Sequence, residues 1–305
     1  MKKEEASEEK LEQLRLKVKR QNCIQIVLLI IVAIYYFAEK AFDWRGPASW
    51  FMFAIVFAFV LIVNYRRKKV WEPELQDVTG DFKNTYVIPL LSGIAGFSDL
   101  SYDSKSGISW DEIRNVGVVD CAEKERYSSP DLLKGRFRGV WFAMSNVTTK
   151  QQVMHRLTVS DKIIFTGWVI SFFLPETFPT CRGRIQIFQK RTWKDISGQL
   201  LEYEIKTGDE QFDQKFAVYS EYEDTPGMIL TPEMCERIRR FSQAVRTQIA
   251  VAFWDRYVYI AVYGKQQFAV DCYTPVAQQK ERFLEDAKLL SLAERILLEG
   301  EKIGS

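Results

Sequence analysis

Two uninterrupted apolar runs, Cys23 to Ala38 and Ala48 to Val63, dominate the hydropathy pattern near the start of the chain. Neither holds a charged side chain, and with flanks each approaches about 20 residues, the length a bilayer core requires of a helix. Only Glu39 to Pro47 separates them. The pattern therefore predicts a transmembrane hairpin over residues 22–66, with spans of about 22–42 and 47–65. Before it, residues 1–21 are strong helix formers in which Leu11, Leu14 and Val18 recur at helical spacing. They predict a short cytoplasmic amphipathic helix that continues into the first span.

After the hairpin the periodicity changes to that of a water-facing domain, residues 67–305. Trp71 to Phe82 carries Pro73 and Gly80 and reads as a connector, and the apolar stretch Asn84 to Phe97 is broken by Pro89, Gly93 and Gly96. Ser109, with Glu112 three residues on, marks a helix start. Aromatic and β-branched runs at 135–144, 162–174, 184–189 and 216–219 predict strands. Phe212, Phe216 and Val218 are expected to alternate as the inward face of one strand, with Asp213 and Lys215 outward, before a turn over Asp224 to Met228. Thr231 then caps a helix with Pro232 at its first position, running to about Val245. Residues 247–253 and 257–263 flank Trp254-Asp255-Arg256 as a hairpin. A last amphipathic helix is expected from Val276 to Leu298, with Phe283, Ala287, Leu290, Ala293 and Leu297 in one stripe. The predicted fold class is α+β: an N-terminal α-helical transmembrane hairpin, then a cytoplasmic domain with an antiparallel sheet and a C-terminal helix.

Charge orients this arrangement. Net charge is +2, but residues 1–69 hold 13 Lys and Arg against 7 Asp and Glu. Arg15, Lys17, Lys19 and Arg20 precede the first run, and Arg66, Arg67, Lys68 and Lys69 follow the second. By the positive-inside rule both termini are expected to be cytoplasmic and the turn to face outward, as in a multi-pass membrane chain. The remaining residues carry an acidic excess, so nucleic acid is not an expected partner. Cys23, Cys121, Cys181, Cys235 and Cys272 are scattered without metal-ligand spacing and suit a reducing compartment.

Several residues carry a resemblance to a known family. They are Tyr102; Gly107-Ile108-Ser109; Tyr127, Asp131 and Gly135; Phe165-Thr166-Gly167; Phe212 to Ser220; and Ile229-Leu230-Thr231-Pro232. In order and spacing, behind a membrane hairpin, they resemble a bacterial family of two-span inner-membrane proteins with a large cytoplasmic domain of unknown function. Thr225-Pro226-Gly227-Met228 departs from the arginine-containing stretch usual there. Members are sometimes encoded beside LemA-type membrane proteins, so the resemblance implies the bilayer and a LemA-type or other membrane protein as partners. It implies no activity.

Motifs for chemistry are sparse. His155 is the single histidine, and no nucleophile elbow, phosphate loop or dinucleotide fingerprint is present. Ser101 to Glu112 departs from a calcium loop at its fifth position, Lys105, and reads as a polar turn. Asp209, Glu210 and Asp213 read as a solvated turn, and the aromatic residues as core, with a ligand cavity as the alternative. No catalytic, cofactor-binding or metal residue is assigned. The expected function is a non-enzymatic, membrane-tethered interaction or sensory module that recruits a protein or small ligand to the inner face. The alternatives are a hydrolase-like enzyme using Asp131 or Asp213, and an accessory subunit of a membrane complex.

Overall fold

In the computed structural model one helix, α1 (Lys2–Phe42), carries both the charged leader and the first apolar run. The structure describes residues 2–42, 72–121, 123–155, 158–176, 178–190, 200–271 and 273–298, with single positions between 58 and 69. They divide into two units, Met1–Tyr86 with Val270–Lys280, and Val87–Ala269 with Glu281–Ser305.

In the first unit Ser7, Leu11 and Leu14 of α1 are buried. Glu8 accepts from Tyr86, and from Lys280 Nζ at 2.5 Å, while Lys17 pairs with Glu74 at 2.8 Å. Numbering rises along α1 as it falls along α2 (Glu72–Ser92), so the two helices run antiparallel. Asn22 Nδ2 donates to the Tyr273 hydroxyl at 3.3 Å. Beyond this point the pattern of cover changes: Ile24, Ile26, Val27, Ile30, Ile31, Ile34 and Phe37 are 47–69% exposed. The side chains of Leu28, Leu29, Val32, Tyr35 and Tyr36 lie outside the described residues, as does nearly all of the second apolar run. Among the described residues no helix is long and apolar enough to cross a membrane.

From Glu72 to Phe82 the residues expected to form a connector are helical instead, while Trp71 lies outside the described residues. Pro73 sits in the first turn of α2, where its missing N–H costs nothing, and Gly80 is buried within the helix. Both residues look like breaks in the sequence and act as neither.

The second unit is organised on a ten-stranded sheet. Its strands are β1 (Phe97–Asp103), β2 (Tyr127–Ser128), β3 (Leu132–Phe137), β4 (Val140–His155), β5 (Thr158–Phe173), β6 (Cys181–Gln189), β7 (Tyr203–Ile205), β8 (Phe216–Ser220), β9 (Ile249–Asp255) and β10 (Tyr257–Tyr263). Their order is β1-β3-β4-β5-β10-β9-β6-β8-β7, with β2 added to β4, and every pairing is antiparallel. β9 and β10 form the expected hairpin, with Asp255 at φ 53° in the turn. His155 pairs with Thr158 at the end of the β4–β5 ladder, and its side chain lies outside the described residues.

Both faces of the sheet's centre are buried, which explains the near-continuous apolar runs of β9 and β10. On one face Phe142, Phe172, Val258, Phe253 and Ile185 stand directly opposite one another, each at most 4% exposed. On the other, Val147, Phe165, Val169, Ala250, Ala252, Tyr259 and Ala261 pack with residues from Ile108 to Cys121. That cover includes α3 (Trp110–Val116), whose N-cap Ser109 accepts from Glu112 N as expected.

The segment 212–232 differs from its sequence reading. Phe212 and Asp213 belong to a short helix, α4 (Glu210–Lys215), capped by Asp209, and all five residues of β8 are buried. Phe212 reaches the core from the helix and stacks on Phe216, their centroids 4.7 Å apart. The expected turn contains a helical turn, α5 (Thr225–Ile229). α6 (Pro232–Val245) then begins as expected, with Thr231 Oγ1 accepting from Met234 N at 3.3 Å and Met234, Ile238 and Phe241 buried. Thr231→Ala should destabilise the protein by about 1 kcal/mol, the usual cost of a lost cap, with unchanged cooperativity in chemical denaturation. The C-terminal helix is α7 (Val276–Leu298), with Phe283, Ala287, Leu290 and Ala293 buried.

Candidate functional site

Four of the residues behind the family resemblance, Tyr102, Ile108, Tyr127 and Asp131, make hydrogen bonds at the β1–β3–β4 end of the sheet. Asp131, at φ 67° and 4% exposed, accepts from the Tyr102 hydroxyl at 2.5 Å and from Asn146 Nδ2 at 2.8 Å. Asn146 also exchanges bonds with the Gln267 backbone, donating to its carbonyl and accepting from its N–H, both at 2.8 Å. Tyr127 donates to the Ile108 carbonyl at 2.7 Å. Burial, and then the neighbouring Asp131, raise the Tyr102 hydroxyl far above the ordinary tyrosine range. With each carboxylate oxygen engaged, Asp131 ties β1, β3 and β4 to the Gln267 loop rather than facing a substrate.

Asp213, the other carboxylate singled out, lies beside β8 at the opposite flank of the sheet from Asp131. Its Oδ1 accepts from Thr207 N at 3.1 Å and Thr207 Oγ1 at 3.0 Å, which fastens the preceding loop. Asp103 closes the calcium-like loop by accepting from Lys105 N and Ser106 Oγ. Burial pushes the Cys121 and Cys181 thiols up to about 12 and Cys235 to about 11, so all three stay protonated at neutral pH and are poor nucleophiles. Among the described residues no group of three His, Cys, Asp or Glu side chains is placed to hold a metal ion.

What remains open to solvent is a row of aromatic side chains. Register places Arg136, Trp141, Phe173, Tyr257, Trp254 and Arg184 directly opposite one another on β3, β4, β5, β10, β9 and β6. Residues opposite in an antiparallel ladder share a face, so the row forms a single line across the strands. Trp141, Tyr257 and Trp254 are 44%, 39% and 37% exposed, large values on a sheet whose next row is covered.

The cover stops for a geometric reason. One row inward, Tyr259 donates to Glu112 of α3 at 3.1 Å and Gln186 Nε2 donates to the Gly117 carbonyl at 2.9 Å. Ala143 and Ser171 lie in that same inner row. With Trp141, Phe142, Phe173 and Tyr257 they line a groove of about 330 Å³, at the lower end of the range of small-molecule sites. Phe173 and Tyr257 have centroids 5.1 Å apart. The Arg136 guanidinium lies 4.2 Å from the Trp141 ring centre and that of Arg256 4.7 Å from Phe173, contacts that fix the rings' outer faces.

Sequence reasoning left these aromatics with the core. Their one legible signal is positional: each stands at a strand end beside turn-forming residues, and Trp254 and Tyr257 flank a tight turn. Alignment of Trp141 and Phe173 with that pair depends on long-range register.

No curated protein matches this sequence. Among solved structures the chain is similar to the mycobacterial trehalose monomycolate transport factor A, TtfA, at 12% identity and a TM-score of 0.31. That match covers 73% of this chain and 98% of the other. Residues 136–299 match the family described as "Protein of unknown function (DUF3137)", a range that contains β4 to β10, α4 to α7 and the whole aromatic row from Arg136 onward. The chain belongs to the DUF3137 family.

Proposed function

We propose that this protein is a membrane-tethered, non-enzymatic module of the bacterial inner membrane that captures a partner protein on the aromatic row. The observation that carries the reading is the line Trp141, Phe173, Tyr257, Trp254, whose two tryptophans and tyrosine stay 37–44% exposed beside the buried centre of the sheet. Trp, Tyr and Arg concentrate binding energy at protein interfaces, and here they are held in place by the ladder and by arginine stacking.

Support for the tether comes from the first unit. The uncharged run from Cys23 continues the helix that starts in the charged leader, and its described apolar side chains are exposed. From Arg20 to Phe42 a helix rises about 33 Å, close to the thickness of a bilayer core of about 30 Å. The Lys17–Glu74 contact brings the end of the leader and the start of α2 together, on either side of the two apolar runs. That agrees with a hairpin having both termini on the cytoplasmic side. A LemA-type membrane protein is a partner offered by the resemblance.

Two measurements on the full chain in native membranes test the reading. An alkaline carbonate wash should leave the protein with the membrane fraction, and release would refute the tether. A photo-crosslinking residue at Tyr257 should give a discrete protein adduct, absent when the probe replaces the exposed Leu284 of α7. Equal adducts, or none, at both positions would refute capture on the row.

A further inference from the structure

We infer that the groove takes a proline-rich segment in the polyproline II conformation. The inference rests on the capture role proposed above and specifies the chemistry of what is captured.

Spacing is the first argument. Adjacent strands lie about 4.8 Å apart, so Trp141 on β4 and Tyr257 on β10, with β5 between them, are separated by about 9.6 Å along the row. Polyproline II advances about 9.3 Å per turn of three residues. Positions i and i+3 of such a segment therefore meet equivalent rings, with Phe173 between them and the small Ala143 and Ser171 forming the floor.

The second argument concerns the backbone. β4, β5, β10 and β9 are interior strands paired on both sides along this row. An extended peptide laid on them finds no free ladder edge, so strand addition contributes nothing. A polyproline II segment requires no ladder, because its carbonyls are left to accept from side-chain donors such as those of Arg136, Arg256 and Tyr257.

Charge supplies the third. Each guanidinium at the rim is answered by a carboxylate: Arg136 by Asp99 at 3.4 Å, Arg256 by Glu176 at 3.7 Å, Arg184 by Glu221 at 2.5 Å. A rim balanced in this way complements an uncharged ligand and gives little attraction to a polyanion.

The test uses the detergent-solubilised full chain and fluorescein-labelled decaproline, followed by anisotropy. Saturable binding is expected, weakened by at least about tenfold in Tyr257→Ala, which removes a wall, and in Ala143→Leu, which fills the floor. Both variants should keep the wild-type melting temperature, which separates loss of the groove from loss of the fold. No saturable binding, or full binding in both variants, overturns the inference. Preferential binding of deca-thymidine or cellohexaose overturns it too. None of these outcomes depends on membrane attachment or on the crosslinked partner, so this inference and the capture reading fail separately.

Discussion

Gly167→Ala should destabilise the protein by about 3 kcal/mol or more, a large cost for one methyl group on an interior strand. A Cβ at this position would fall well inside contact distance of the Val262 carbonyl oxygen on β10. The obstacle is backbone, which no side-chain rotamer relieves, and relief requires parting the β5–β10 ladder where Gly167 faces Tyr263. Gly107→Ala meets the same obstacle at the Ser129 carbonyl and should behave alike. Gly227 offers the control, because nothing lies within 4 Å of its added Cβ. Chemical denaturation of the full chain in detergent should place Gly167→Ala and Gly107→Ala far below wild type and Gly227→Ala close to it. Equal midpoints for all three would mean that close strand approach is not what these glycines provide.

The second large effect is expected at the junction of α4 and β8. Phe216 is 1% exposed and Phe212 fully buried, and their rings stack. Phe216→Ala should cost about 3–5 kcal/mol, and Phe212→Ala a similar amount. Asp213→Ala should cost about 1–2 kcal/mol, because its carboxylate accepts two bonds from Thr207 at a half-buried site. Asp213→Asn, which retains an acceptor oxygen, should recover part of that loss. A stability unchanged in Asp213→Ala, measured by urea unfolding, would remove the structural role assigned to this carboxylate.

That junction also shows where reading the sequence reaches its limit. Alternation of Phe212, Phe216 and Val218 fits an inward strand face, yet Phe212 arrives on a helical turn started by Asp209. Four-residue spacing of aromatics satisfies a strand face and a helix-to-strand stack equally well, and only packing decides between them. Pro73 and Gly80 mislead for the opposite reason. As loop punctuation they look decisive, but the first helical turn tolerates one and a close-packed helix surface accommodates the other.

Elements whose signals are local were legible from the chain. Ser109 and Thr231 accept the cap bonds their sequence contexts require, the turn at Asp255 joins β9 to β10, and α7 runs from Val276 to Leu298. The aromatic row is of another kind. Its members come from strands distant in sequence, and their alignment follows from the register of β4 on β5 and of β5 on β10. A slip of one residue in either ladder would move one side of the row to the opposite face. Exposure of the row depends further on α3 ending its cover at Tyr259 and Gln186, a contact made across the sheet rather than along the chain. Local propensity and capping are written into neighbouring residues, whereas register and cover are settled only when the whole sheet packs.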